Sequence, residues 1–149
     1  MINKDTILTI EILDPVIKKW KQILGLNGWD FRIALVDKYS MAERIREYEA
    51  DSPTPSNADP EDIVLGCVTH CYPVEQVATI QFRYDAPAFF GTWVNLDTLV
   101  CHELIHVLVR DQFDRLPKAA QRSKKTGELE EFICDRFSYI LYKALEGRN

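Results

Sequence analysis

The sequence lacks several things, and each absence narrows the reading. No apolar run is long enough to cross a bilayer. The opening Met-Ile-Asn-Lys-Asp has none of the features of a signal peptide. A cytoplasmic chain without a membrane partner is therefore expected. Positive charge is not in excess: 18 Lys and Arg stand against 23 Asp and Glu, for a net charge of -5. That balance argues against a nucleic-acid partner, whose phosphates favour a basic face. No internal repeat and no second domain is visible in the 149 residues, so one domain, 1–149, with a real core is expected. Cysteines are few: Cys67, Cys71, Cys101 and Cys134. In a reducing compartment they read as buried free thiols. Cys67 and Cys71 on a straight strand would stand about 13 Å apart, too far to share an ion or a disulfide.

Histidine is scarce too. The chain has three, and two of them fall four apart in Val100-Cys101-His102-Glu103-Leu104-Ile105-His106-Val107-Leu108. On an α-helix, residues four apart lie one above the other. His102 and His106 then reach one Zn²⁺ with two imidazoles. Glu103 is rotated by about 100° from His102. It flanks the metal, which suits a general base acting on water that the metal activates. Asn95 or Asp97 is a candidate cap for this helix. Leu99, Val100, Leu104, Ile105, Val107 and Leu108 fall all round its wheel, which predicts a largely buried helix.

Upstream, Asp14-Pro15 reads as an N-cap with proline at the first helical position, and Gly25 as the stop. Trp29 to Val36 alternates as a strand. Ser40-Met41-Ala42-Glu43 has the form of a capping box that opens a short helix to about Tyr48. Asp51 to Asp62 reads as an acidic surface loop. Ile63 to Tyr72 and Val77 to Tyr84 are strands joined by a turn at 73–76. Asp85 to Val94 carries Phe89, Phe90 and Trp93 into the metal helix. Asp114 to Lys125 reads as a polar loop. In the last helix Leu129, Phe132, Ile133, Phe137, Ile140, Leu141, Ala144 and Leu145 form an apolar stripe.

A catalytic zinc site needs a third protein ligand. The last helix offers Glu128, Glu130, Glu131 and Asp135. Glu131-x-x-x-Asp135 puts a ligand and a second carboxylate on one helical face, the second able to accept the free N–H of a zinc-bound histidine. On the wheel Glu131 and Asp135 fall at the edge of the apolar stripe, near the core but open to a cleft. Glu130 falls inside the stripe and remains a rival ligand.

His102-Glu103-x-x-His106 with the downstream Glu131-x-x-x-Asp135 resembles the gluzincin, or thermolysin-like, metallopeptidases. The motif match covers about the last third of the chain. The small size is similar to that of minimal phage- or prophage-encoded peptidases. Asp135-Arg136-Phe137-Ser138 resembles the glutamate helix of repressor-cleaving metallopeptidases. The resemblance implies an α+β, zincin-like fold: a small mixed or antiparallel sheet packed on helices, with the His-Glu-x-x-His helix central. It implies Zn²⁺ held by His102, His106 and Glu131, with Asp135 behind them and Glu103 as catalytic base. It implies hydrolysis of a peptide or protein that pairs along an edge strand, for which Val77 to Tyr84 is the candidate. The chain departs from the family pattern in one place: no histidine follows His106 to stabilise the oxyanion, leaving Tyr139 or Tyr142 for that role. The competing class is a non-catalytic interaction protein that keeps the zinc fold for stability.

Overall fold

The computed structural model describes residues 2–48, 59–113 and 124–146, together with Pro117. Its elements run α1 (Ile10–Ile23), β1 (Asp30–Val36), α2 (Lys38–Tyr48), β2 (Gly66–Tyr72), β3 (Val77–Arg83), a 3₁₀ turn (Ala86–Phe89), α3 (Leu96–Phe113) and α4 (Lys124–Glu146). The fold class is α+β, with a three-stranded mixed sheet and, among the described residues, four helices. None of the described helices is long and apolar enough to cross a membrane. Of the expected loops at 51–62 and 114–125, residues 51–58 and 114–123 lie outside the described residues, Pro117 apart.

The strand order is β1-β3-β2, parallel between β1 and β3 and antiparallel between β3 and β2. The expectation that Val77 to Tyr84 forms an edge strand is therefore corrected: β3 is central. Ala78, Ile80 and Phe82 are fully buried on one face, and Gln81 and Arg83 are buried on the other. Arg83 is tolerated there because its Nε and Nη2 donate to the two oxygens of Asp85 at 2.9 and 2.8 Å. The free edges belong to β1 and β2.

α1 also differs from the expectation. It starts at Ile10, and the Thr9 hydroxyl accepts from the Ile12 N–H. Leu13 is already buried in line with Ile17 and Trp20, so the apolar stripe begins before Asp14-Pro15, which sits inside the helix. At its end Gly25 takes a left-handed conformation, φ 71°, and Leu26 N–H reaches back to Lys21 C=O. In α2 the cap is Asp37, whose Oδ1 accepts from Ser40 N–H, and not Ser40 itself.

α3 is buried nearly all round, as its composition demands: Val100, Cys101, Leu104 and Val107 are sealed in the core, while Leu108 is partly exposed. Asn95 caps it, with Asn95 Oδ1 accepting from Thr98 N–H and Thr98 Oγ1 accepting from Asn95 N–H, both at 3.0 Å. Asp97 instead accepts from Trp20 Nε1 and Lys19, tying α1 to α3. α4 uses only part of its apolar stripe for packing: Ile133, Leu141 and Leu145 lie against the core. Leu129, Phe132, Phe137 and Ile140 lie at the surface, whereas Cys134 and Ser138 are buried. The reason lies in what α3 presents to α4.

Candidate metal centre

α3 presents two imidazoles to α4. One helical turn apart, His102 and His106 bring their Nε2 atoms to 3.1 Å from each other. From α4 the carboxylate of Glu131 spans the pair, Oε1 standing 3.0 Å from His106 Nε2 and Oε2 standing 3.4 Å from His102 Nε2. The other nitrogen of each ring is also engaged. His102 Nδ1 stands 3.0 Å from Asp135 Oδ1, and His106 Nδ1 donates to Glu130 Oε1 at 3.0 Å. Each ring thus has one nitrogen fixed by a carboxylate and the other turned toward Glu131.

The electrostatic consequence is direct. With each Nδ1 turned to a carboxylate, two Nε2 atoms and the Glu131 carboxylate face one another. Positive charge has to sit among them, as added protons or as a cation. The titration behaviour expresses the same demand. Burial opposes charge on both rings, but Glu131 raises His102, and Cys134, Glu130 and Glu131 raise His106 far above the ordinary imidazole range. His102 and His106 hold the Glu131 carboxyl far below the usual carboxylate range. Burial pushes Glu130 up, but His106 and Arg110 outweigh it and hold it low.

Zinc fits this donor set. Nitrogen and oxygen ligands at ordinary zinc bond lengths and tetrahedral angles stand about 3.3 Å apart. The contacts at 3.0 to 3.4 Å have that spacing. The carboxylates on the Nδ1 atoms are the usual outer partners of metal-bound imidazoles. Cys134 adds a further donor, its sulfur lying within 4.8 Å of ring nitrogens of both histidines.

Glu103 stands beside this group and contacts none of its ligand atoms. It is buried, its Oε2 has no hydrogen-bond partner among the described residues, and burial pushes its carboxyl up against the lowering influence of the two histidines. What admits the carboxylate is Gly66 on β2: a Cβ there would lie 2.8 Å from Glu103 Oε1 and 3.0 Å from its Cδ and Cγ.

The centre opens into a cleft of about 1000 Å³. One wall is the 62–68 stretch that leads into and includes the start of β2; Trp93, Val94 and Leu99 form another, and Arg136 and Tyr139 of α4 a third. The rings of Trp93 and Tyr139 meet at a tilt of 54°, with centroids 5.0 Å apart. Of the two tyrosines weighed for oxyanion stabilisation, Tyr139 lines the cleft and Tyr142 does not. β2 turns its free edge this way. Leu65 C=O accepts from Arg83 N–H, so antiparallel alternation puts the backbone groups of Gly66 and Val68 on the outward side.

No protein-family model, no curated protein and no solved structure matches the chain.

The structure therefore brings together His102, His106, Glu131 and Asp135, with Glu103 alongside. Glu130, weighed as a rival ligand, turns to His106 Nδ1. Cys67, His70 and Cys71 form no ligand cluster with metal spacing among the described residues. The parts that sequence reasoning missed are Gly66, Cys134 and Arg110. Arg110 alone carried a signal, being the next residue at a spacing of four after His102 and His106.

Proposed function

We propose that the chain is a zinc-dependent peptidase with a zincin-like arrangement, acting in the cytoplasm on extended peptide or protein segments. The observation that carries this reading is the buried Glu103 oxygen, without a partner among the described residues, beside three convergent donors. A buried carboxylate oxygen without a partner is costly in a structural site. It is what a general base requires.

His102, His106 and Glu131 would hold the ion, and Asp135 and Glu130 would orient the two imidazoles. Bound there, zinc supplies Lewis acidity toward a scissile carbonyl and acidity to water. Glu103 takes a proton from the attacking water at Oε2 and delivers it to the departing amine. Tyr139 is the hydroxyl available on the cleft wall for the developing oxyanion. An extended segment pairs with the outward N–H and C=O of Gly66, beside Glu103. Apolar side chains at Ile63, Leu65, Trp93 and Val94 favour apolar substrate residues. None of the four cysteines is in a disulfide, which accords with a reducing compartment.

A second reading has its own observation. If Cys134 joined the two histidines and Glu131, the centre would have four protein ligands and be closed, as in structural zinc sites. The chain would then be a zinc-stabilised interaction module. Zinc content and peptide-library hydrolysis, measured for wild type and Glu103→Gln, decide the matter. The peptidase reading expects about one zinc in both proteins and hydrolysis in wild type alone. Zinc without hydrolysis in wild type favours the module. No zinc in folded wild type overturns both.

A further inference from the structure

We infer that Arg110 is a positioning residue, joining the free edge of β2 to the imidazole of His106 through Glu130. The inference rests on the metal reading above for its functional meaning, but its geometry stands apart. Arg110 lies on α3 one turn beyond His106. Its Nε donates to Glu130 Oε1 at 3.0 Å, the same oxygen that accepts from His106 Nδ1. Its Nη1 donates to Val68 C=O at 2.8 Å. The guanidinium is planar, so the two donors have a fixed angular relation. Placing one on a strand carbonyl fixes where the other points. The chain of contacts then runs Val68, Arg110, Glu130, His106, without a gap.

Each link is sheltered. The side chains of Arg110 and Glu130 are 19% and 15% exposed, and that of His106 is 8% exposed. Val68 is itself buried, and the sheet register shifts just after it, between Val68 and His70. A carboxylate as buried as that of Glu130 needs a neighbouring cation. Arg110 supplies that charge at a fixed place. It also occupies the outward carbonyl of Val68. A peptide paired with Gly66 therefore finds its acceptor run ended one outward residue later. One side chain thus limits the binding edge and steadies a metal-holding ring.

The test uses the full chain with ¹⁵N-labelled histidine, first metal-free and then in competition with a zinc chelator. The proteins compared are wild type, Arg110→Met, Arg110→Lys, Glu130→Gln and the Arg110→Met/Glu130→Gln double variant. Arg110→Met is expected to weaken zinc binding about 10–100-fold, as the loss of an outer partner does. The double variant is expected to be no weaker than the worse single one, since both act along one route. Arg110→Lys keeps charge but not the fork and should recover only part of the loss. In metal-free protein the His106 Nδ1 signal should shift in Arg110→Met. That shift supports the inference even if wild type takes up no zinc, the result that would sink the metal reading alone. Zinc affinity within about twofold of wild type, or additive losses in the double variant, overturns the inference. If Arg110→Met does not fold, Arg110→Lys decides: wild-type affinity with an unchanged His106 signal overturns it.

Discussion

The carboxylate of Glu103 lies against the backbone of Gly66, so close that a Cβ at Gly66 would meet Glu103 Oε1 at 2.8 Å. Glu103 has little room to yield, since it is itself buried on α3. Gly66→Ala should push the carboxylate away from its place without touching His102, His106 or Glu131. Misplacing a catalytic group by about 1 Å can cost on the order of 100-fold in rate. We expect kcat to fall by about 10–100-fold, with zinc stoichiometry unchanged. Steady-state kinetics and metal analysis on one preparation test this. A variant with wild-type kcat would show that β2 does not set the position of Glu103.

The three carboxylates of α4 should rank by what they touch. Glu131 faces both Nε2 atoms, so Glu131→Ala should abolish tight zinc binding. Glu130 and Asp135 each hold one Nδ1, so Glu130→Gln and Asp135→Asn should each weaken zinc about 10–100-fold. Chelator competition gives the order. Retention of zinc in Glu131→Ala with loss in Glu130→Ala would reverse the two roles.

The legible parts were those set by local spacing. His102, Glu103 and His106 were readable because a helix alone fixes which side chains align, and α3 declared itself helical through its apolar content. Glu131 was preferred to Glu130 by a single step on the wheel, because how α4 lies on α3 is not readable from the sequence. The apolar stripe of α4 misled for the same reason. The face toward α3 is taken up by Glu130, Cys134 and Ser138, leaving Phe132 and Phe137 outside. The resemblance alone offered β3 as an edge, and the pairing of Arg83 with Asp85 shows how a cation enters a central strand. Nothing in the sequence marks Gly66 among the six glycines, because the need for it comes from a carboxylate on another element.

That Arg83–Asp85 pair carries a stability prediction. Arg83 is buried, and Asp85 is partly open to solvent. The adjoining guanidinium outweighs burial and holds the Asp85 carboxyl below its ordinary range. A depressed carboxylate pKa adds stability above the unfolded-state value, about 3.9, and that stability is lost as pH falls through the folded value. Asp85→Ala leaves the Arg83 charge without its carboxylate. We expect a loss of about 2 kcal/mol at pH 7, less than the ~3–5 kcal/mol of a fully buried pair because water reaches Asp85. The difference from wild type should shrink below about pH 4. Urea midpoints at pH 7 and pH 3 provide the check. A difference independent of pH would assign the effect to packing.

Cys134 decides whether the centre is open or closed. Its sulfur lies within 4.8 Å of the nitrogens of His102 and His106, on the same helix as Glu131. As a fourth ligand it would complete a tetrahedron and leave no position for water or substrate. The placement of Glu103 favours the open alternative, because a closed centre gives its unpaired oxygen nothing to act on. In the open centre Cys134 is a neighbour of His106 and not a ligand, so Cys134→Ser should cost less than about tenfold in zinc affinity and leave peptide hydrolysis in place. Cobalt-substituted wild type should then lack the near-ultraviolet charge-transfer band of a cobalt–thiolate bond. The opposite pair of results, a strong band in wild type and loss of metal in Cys134→Ser, would identify a closed structural centre, and Glu103 would lose its role as a base.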